Sequence, residues 1–350
     1  MKAGRKSNIE FVRFIASICI LMGHATILKG PYGRFIRPWP RGYIFVEFFY
    51  MLTGCFCAAH VDNGEIELKN AMRYAANYTL RKILRILPFA IIGVIICYIW
   101  RFIYVEPSYS EGIKLLLEAP FEFLLLNITG LSDVYLNAPM WYLSIMLLVL
   151  PVVMYGMIRF SDVFRNYLSW VLPVVFYGYL ISTFGALDVW GNSPIYLVSA
   201  IRATAGLSLG ACCYYIAEEI KNREPHHPIF FGVLEIVILF VVLYASYTNE
   251  QVERIDMFIV LLFFFLIILS YSGITFIEKK SRKFELFLGR ISSPIYCLHW
   301  GMLVLTESIF SELPFFPKLC ITIAATFLLS IVILLLFNCL HNNNRLSKQS

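Results

Sequence analysis

Ten stretches of this sequence are apolar over about the length that a helix needs to cross a lipid bilayer, which is about 20 residues. Hydrophobic residues make up 59% of the chain and charged residues 15%, whereas soluble domains carry about 45–50% and about 25%. A soluble globule of this composition could not cover its surface with polar groups. The sequence therefore predicts an all-α integral membrane protein, a bundle of about ten transmembrane helices. The runs lie at about 8–28, 42–60, 84–103, 140–158, 168–187, 195–217, 229–248, 256–277, 292–310 and 317–340.

The chain shows no internal repeat and no low-complexity segment, so we expect residues 1–350 to form a single membrane domain with no soluble appended domain. The stretch 112–128 is also apolar, but Glu118, Pro120 and Glu122 interrupt it. This pattern favours a helix that lies on the membrane surface or re-enters the membrane.

Basic residues are concentrated in alternate loops. With a cytoplasmic N-terminus, 19 lysines and arginines fall in cytoplasmic segments and 8 in outer segments. Because cytoplasmic loops carry the excess of positive charge, this predicts two cytoplasmic termini in a multi-pass protein of the cell (plasma or inner) membrane. These short clusters are typical of membrane topology and do not indicate nucleic-acid binding. The outer segment 29–41 is an exception, since its four basic residues favour an anionic acceptor or anionic lipid headgroups.

The first apolar run contains two ionisable residues, Arg13 and His24, which are eleven positions apart. Eleven steps of an α-helix return to within about 20° of the start and rise about 16 Å, so both side chains lie on one face. An arginine there can bind phosphate or carboxylate, and a histidine is suited to general base catalysis. Alternatively, Arg13 extends to the lipid headgroups and His24 caps a buried carbonyl group.

Glu47 lies about five residues from the outer end of the second run, at a depth similar to that of His24 in the first. A carboxylate at that depth could orient a catalytic histidine, as in a catalytic triad. The alternative is a structural ion pair between Glu47 and an arginine, with Arg13 or Arg202 as the partner.

Three basic residues lie together in the first turns of the third helix, at Arg81, Lys82 and Arg85. They could bind a polyphosphate at the cytoplasmic side through charge-assisted hydrogen bonds. Ordinary anchoring by positive charge at the inner membrane surface also explains such a cluster.

Later in the chain, four polar or aromatic residues are candidates for lining a substrate cavity: Trp141, Tyr142, Arg202 and His299. An aromatic belt at the outer surface would also explain the first two, and His299 could be structural. The pair at 226–227 is histidine-histidine without cysteine or acid at ligand spacing, so we expect no metal site.

Several of these segments together resemble the acyltransferase-3 family of integral membrane O-acyltransferases. The matching segments, in the family's order, are the Arg13–His24 pair, VEFFYMLTG at 46–54, RKILRILP at 81–88, MWYL at 140–143 and IYCLHW at 295–300. The resemblance covers nearly the whole chain. Two departures are Lys82, where the family's R-x-x-R turn usually has arginine, and Thr53, where serine is common.

The resemblance implies an enzyme that moves an acyl group, usually acetyl, from cytoplasmic acyl-CoA to a hydroxyl group of a cell-surface or lipid-linked carbohydrate. Arg13, Lys82 and Arg85 would then face the phosphates of acetyl-CoA, and His24 would carry or relay the acyl group. Two other classes stay open: a carrier that moves a lipid-linked saccharide unmodified, and a sensor that binds ligand without turnover.

Overall fold

The computed structural model describes residues 6–29, 36–132, 134–188, 195–223, 227–248, 254–279 and 283–346. Within these ranges the chain forms eleven long helices and no β-strand. A short helix, Ser161–Val163, and a π-helical turn, Phe164–Leu168, precede α6. The long helices are α1 (Ser7–His24), α2 (Phe45–Asp62), α3 (Ala71–Trp100), α4 (Tyr109–Phe123), α5 (Trp141–Arg159), α6 (Ser169–Phe184), α7 (Ile195–Asn222), α8 (Pro228–Tyr247), α9 (Ile255–Ser272), α10 (Lys283–Ile309) and α11 (Phe315–Leu346).

Nine helical segments in the described ranges are long and apolar enough to cross a membrane, which confirms the all-α membrane fold. Each of the ten predicted apolar runs lies largely in a helix, although the runs 168–187 and 256–277 extend past Phe184 and Ser272, where their helices end. The run 292–310 lies in α10, which is not among the nine. Helix α10 packs against α1, α3 and α11, and a helix covered by protein can carry polar residues that lipid would exclude. The interrupted stretch 112–128 largely forms α4, which is also not among the nine.

Residues with special backbone preferences set several helix ends. Helix α8 begins at Pro228, where the missing N–H has no helical partner to lose. Helices α6 and α9 end before Gly185 and Gly273, whose φ angles of +76° and +75° are left-handed. Glycine adopts this conformation without the steric penalty of a Cβ atom.

Helices α2 and α7 pack very closely because each contributes a glycine to the contact. A Cβ atom on Gly54 would lie 1.9 Å from the carbonyl oxygen of Leu207, and one on Gly210 would lie 1.8 Å from that of Met51. Only glycine allows backbones to approach this closely. The close contact holds α2 and α7 side by side, and these two helices carry Glu47 and Arg202.

Part of the basic segment 29–41 is anchored, while residues 30–35 lie outside the described ranges. Trp39 donates from Nε1 to Ser246 Oγ at 3.0 Å, and Arg41 Nη1 donates to the carbonyl oxygen of Thr248 at 2.6 Å. These bonds tie the segment to the end of α8. The orientation of the bundle in the membrane stays a prediction.

Candidate active site

The polar face of α1 points towards α10. Arg13 donates from Nη1 to Glu10 Oε2 at 2.8 Å and from Nη2 to Ser293 Oγ at 3.4 Å. Its side chain is 20% exposed, so the guanidinium group remains accessible from one side. The eleven-residue spacing of Arg13 and His24 thus brings both residues to α10, Arg13 from the first half of α1 and His24 from its last residue.

At the other end of α1, His24 contacts His299 of α10. The Nδ1 atom of His24 lies 2.9 Å from Nε2 of His299, and the two rings are stacked with their centroids 5.1 Å apart. The edge of Trp300 completes the contact, at 5.6 Å between centroids. The sequence singled out both histidines but did not predict that they pair.

The hydrogen bonds of His299 define the protonation of both neutral rings. Its Nδ1 atom lies 2.7 Å from the carbonyl oxygen of Tyr296, which can only accept, so Nδ1 carries the hydrogen. Nε2 of His299 is then an acceptor, and His24 donates to it from Nδ1. This leaves Nε2 of His24 with a lone pair, which is the form that acts as a base or a nucleophile.

The two histidines differ in access. His299 is fully buried, whereas His24 is partly exposed. Only His24 is therefore placed to meet a substrate, and His299 acts through it as a positioning residue.

The segment between α4 and α5 holds this part of α10. Asn137 Nδ2 donates to the carbonyl oxygen of Cys297 at 3.0 Å, and Trp300 Nε1 donates to that of Leu136 at 2.8 Å. Tyr296 donates its hydroxyl hydrogen to the carbonyl oxygen of Pro139. Three bonds from one segment thus fix α10 on both sides of His299.

Glu122 of α4 supports the same segment. It is fully buried, and its Oε1 atom accepts from the backbone N–H of Asn137 at 2.8 Å. Burial raises the pKa of Glu122 to about 7, although the bond from Asn137 favours the charged form. A carboxyl group that titrates near neutral pH therefore lies next to the segment that positions α10.

The expectation that Glu47 orients His24 is wrong. The Glu47 carboxylate accepts from Arg202 Nε and from the hydroxyl group of Tyr177, and it is fully buried. The alternative reading, an ion pair with Arg202, is confirmed. Similar depth in two helices did not bring Glu47 and His24 together, because depth does not specify which face of α2 meets α1.

Arg202 and Trp141 belong to this buried cluster. Arg202 donates from Nη2 to the carbonyl oxygen of Tyr43 at 3.1 Å, and its guanidinium group lies 5.5 Å from the ring centre of Trp141. Neither residue lines the cavity described next, and neither does His299. Of the four predicted cavity residues, only Tyr142 lines it.

A cavity of about 870 Å³ contains all four residues predicted to bind the donor. Among the described residues that line it, Glu10 is the only acid. Lys82 donates from Nζ to Thr53 Oγ1 at 3.2 Å, while Arg81 and Arg85 are exposed at the mouth. The basic residues lining the cavity are Lys6, Arg13, Arg81, Lys82 and Arg85.

Aromatic side chains line the inner part of this cavity. The ring centroids of Phe49, Tyr142 and Tyr296 lie 5.8–6.4 Å apart. Tyr296 is three positions before His299 on α10, and their ring centroids are 5.8 Å apart. The cavity therefore ends about one helical turn before the histidine pair.

Sequence reasoning missed several residues of this region. Ser293 and Tyr296 precede His299 on α10, and His60, near the end of α2, also lines the cavity. The sequence did contain a signal for this part of the cavity: Tyr74, Tyr78, Arg81 and Arg85 follow one another at steps of four, three and four positions, so the four share a face of α3. Across the described ranges, no group of three histidine, cysteine or acidic side chains could hold a metal ion. His226 lies outside these ranges.

Comparison with known proteins identifies the family of the chain. The acyltransferase-domain model of the acyltransferase-3 family matches residues 6–335, which contain every residue of the cavity and of the histidine pair. No curated protein and no solved structure matches the chain. The resemblance seen in the sequence motifs is confirmed. The chain therefore belongs to the acyltransferase-3 family and is a multi-pass membrane acyltransferase.

Proposed function

We propose that the protein transfers an acyl group, acetyl in the first instance, from cytoplasmic acyl-CoA to a hydroxyl group of a cell-surface or lipid-linked carbohydrate. The observation that best supports this is one cavity that combines basic and aromatic lining residues, among them Tyr296, which lies one helical turn before His299, the partner of His24. The membrane would be the cell membrane, with the cavity mouth at its cytoplasmic face.

The cavity suits the chemistry of a CoA thioester. Its basic residues match the phosphate groups, which arginine binds in a bidentate manner. The uncharged pantetheine arm suits the inner wall of Phe49, Tyr142 and Tyr296. A volume of about 870 Å³ lies within the range of small-molecule sites, about 300–1,000 Å³.

His24 is the residue to which we assign the chemistry. Its Nε2 lone pair accepts the hydroxyl proton of the acceptor while the hydroxyl oxygen attacks the thioester carbon. The C–S bond breaks, CoA leaves as the thiolate, and the proton passes from His24 to the thiolate. In the alternative route, Nε2 attacks the thioester carbon, the C–S bond breaks and CoA leaves as the thiolate. The acceptor hydroxyl oxygen then attacks the acyl-histidine, the N–C bond breaks, and the hydroxyl proton passes by way of the freed Nε2 to the thiolate.

The arm of the donor must reach His24 from the cavity. Arg13 and His24 are about 16 Å apart along α1, a distance that an extended pantetheine arm can span. Because His24 does not line the cavity in this structure, we expect the Tyr296 side chain to shift when the donor binds.

The experiment uses purified protein in lipid nanodiscs with radiolabelled acetyl-CoA and no acceptor. We expect slow release of CoA, protein-bound label, or both, and loss of the signal in His24→Ala. His227→Ala, at the start of α8 and outside the site, is the matched control and should behave as wild type. Folding is checked by size-exclusion chromatography. Folded wild-type protein that neither binds nor cleaves acetyl-CoA would overturn the proposal and favour the carrier.

A further inference from the structure

Three rings form a platform at the mouth of the donor cavity. Tyr74 hydroxyl and His60 Nε2 lie 3.0 Å apart, within hydrogen-bonding distance. The His60 ring is stacked on Tyr74 with centroids 5.7 Å apart and lies 4.8 Å from the ring of Tyr78. All three line the cavity, and His60 is exposed while the two tyrosines are partly buried. The proposed transfer chemistry uses none of them.

The platform and the basic residues form one stripe along α3. Tyr74, Tyr78, Arg81 and Arg85 are spaced by three or four positions, so they share a face of the helix. Because α3 begins at Ala71, the tyrosines come first along the helix and the arginines follow. The rise from Tyr78 to Arg85 is about 10 Å.

We propose that His60, Tyr74 and Tyr78 bind the planar base of a nucleotide-linked donor by stacking. This inference rests on the proposed function and extends it to a base-binding subsite. The stripe has the same order as the parts of such a donor: a heteroaromatic base, then phosphates, then a neutral arm that carries the thioester. Aromatic rings stack on bases through their π faces, and the exposed His60 ring offers such a face at the rim.

The consequence is selectivity among thioester donors. A thioester on a bare pantetheine arm, free or attached to a carrier protein, has no base for the platform to bind. The platform therefore favours a soluble nucleotide-linked donor.

The test compares acetyl-CoA with acetyl-pantetheine in wild type, Tyr78→Leu and Tyr244→Leu. Tyr244 is an exposed tyrosine on α8 outside the cavity, so Tyr244→Leu is the matched control. Inhibition constants for adenosine 3′,5′-bisphosphate, which has a base, and for pyrophosphate, which has none, separate the contribution of the base to binding from that of the phosphates. We expect Tyr78→Leu to raise KM for acetyl-CoA and Ki for the adenosine compound about tenfold, the size of a typical lost stack. The constants for acetyl-pantetheine and pyrophosphate should not change.

Two results would overturn the subsite. If Tyr78→Leu leaves the acetyl-CoA and adenosine constants unchanged, the platform binds no base. If it shifts all four constants together, Tyr78 only supports the fold of the mouth. Tyr78→Phe, which keeps the ring, should match wild type. If wild type uses neither thioester, the proposed function itself fails, which is a different result from either of these.

Discussion

His24 Nδ1 lies 2.9 Å from His299 Nε2, so a second histidine occupies the place that a carboxylate takes beside the base of a catalytic triad. A neutral imidazole brings no negative charge to stabilise a protonated His24. It instead fixes the tautomer, because the carbonyl oxygen of Tyr296 requires the hydrogen of His299 on Nδ1. The pair therefore leaves a lone pair on Nε2 of His24 that can act as a base or a nucleophile.

Replacing His299 should lower kcat and leave the donor KM nearly unchanged. His299→Leu removes the acceptor for His24 Nδ1, so the ring loses its orientation and its fixed tautomer. We expect a fall in kcat on the order of 100-fold, the usual size of a general-base contribution. Acyl-CoA turnover at saturating donor measures the effect.

A conservative variant distinguishes positioning from simple loss of structure. The side-chain oxygen of His299→Gln can still accept from His24, so this variant should recover part of the activity. Adding His299→Leu to His24→Ala should cost little more, since residues that act as a unit are not additive. Additive losses would show that His299 acts independently of His24.

Arg85→Ala should raise the donor concentration required while changing kcat less. Arg85 is exposed at the cavity mouth, where its fork can hold phosphate. We expect KM for acetyl-CoA to rise about tenfold, as for the loss of one charge-assisted hydrogen bond. Arg73→Ala, an exposed arginine of α3 that does not line the cavity, is the matched control. Equal effects of both variants would mean that overall positive charge, and not a phosphate site, is responsible.

The helices and the basic residues of the cavity could be predicted from local sequence patterns. Apolar runs of bilayer length predict helices without knowledge of their partners. Arg13, Arg81, Lys82 and Arg85 were predicted from their helical positions near the expected cytoplasmic side and from the family resemblance, and the structure places all four in one cavity.

Pairings between distant helices did not follow in the same way. Glu47 and Arg202 are 155 positions apart, and His24 and His299 are 275 apart. Sequence patterns give the depth of a residue in a helix but not the rotation of that helix against its neighbours. The close contact at Gly54 sets which face of α2 meets α7, and that contact is a property of the packed bundle.

Removing one partner of the Glu47–Arg202 pair should destabilise the protein more than removing both. Arg202→Met leaves the Glu47 carboxylate buried without its cation, which costs about 3–5 kcal/mol. The double variant Glu47→Leu/Arg202→Met leaves no buried charge, so its thermal midpoint in detergent should lie above that of either single variant. If the folded double variant still releases CoA at a normal rate, Glu47 has a structural role. If it is folded but inactive, the Glu47–Arg202 pair is required for activity as well as for stability.

The raised pKa of Glu122 should cause the free energy of unfolding of the protein to fall as pH rises from about 4.5 to about 7. Its pKa is raised from 4.5 to about 7 in the folded state, so in this range the folded protein binds more protons than the unfolded chain. The stability linked to the protonated carboxyl group is fully present below about 4.5 and is lost as pH passes through 7, by up to about 3 kcal/mol. Glu122→Gln mimics the neutral form and should flatten the dependence of stability on pH in this range.

The measurement is the thermal midpoint of wild type and Glu122→Gln between pH 5 and 8. Glu111→Gln, which replaces an exposed acid of the same helix, is the control. Parallel profiles for wild type and Glu122→Gln would contradict the prediction.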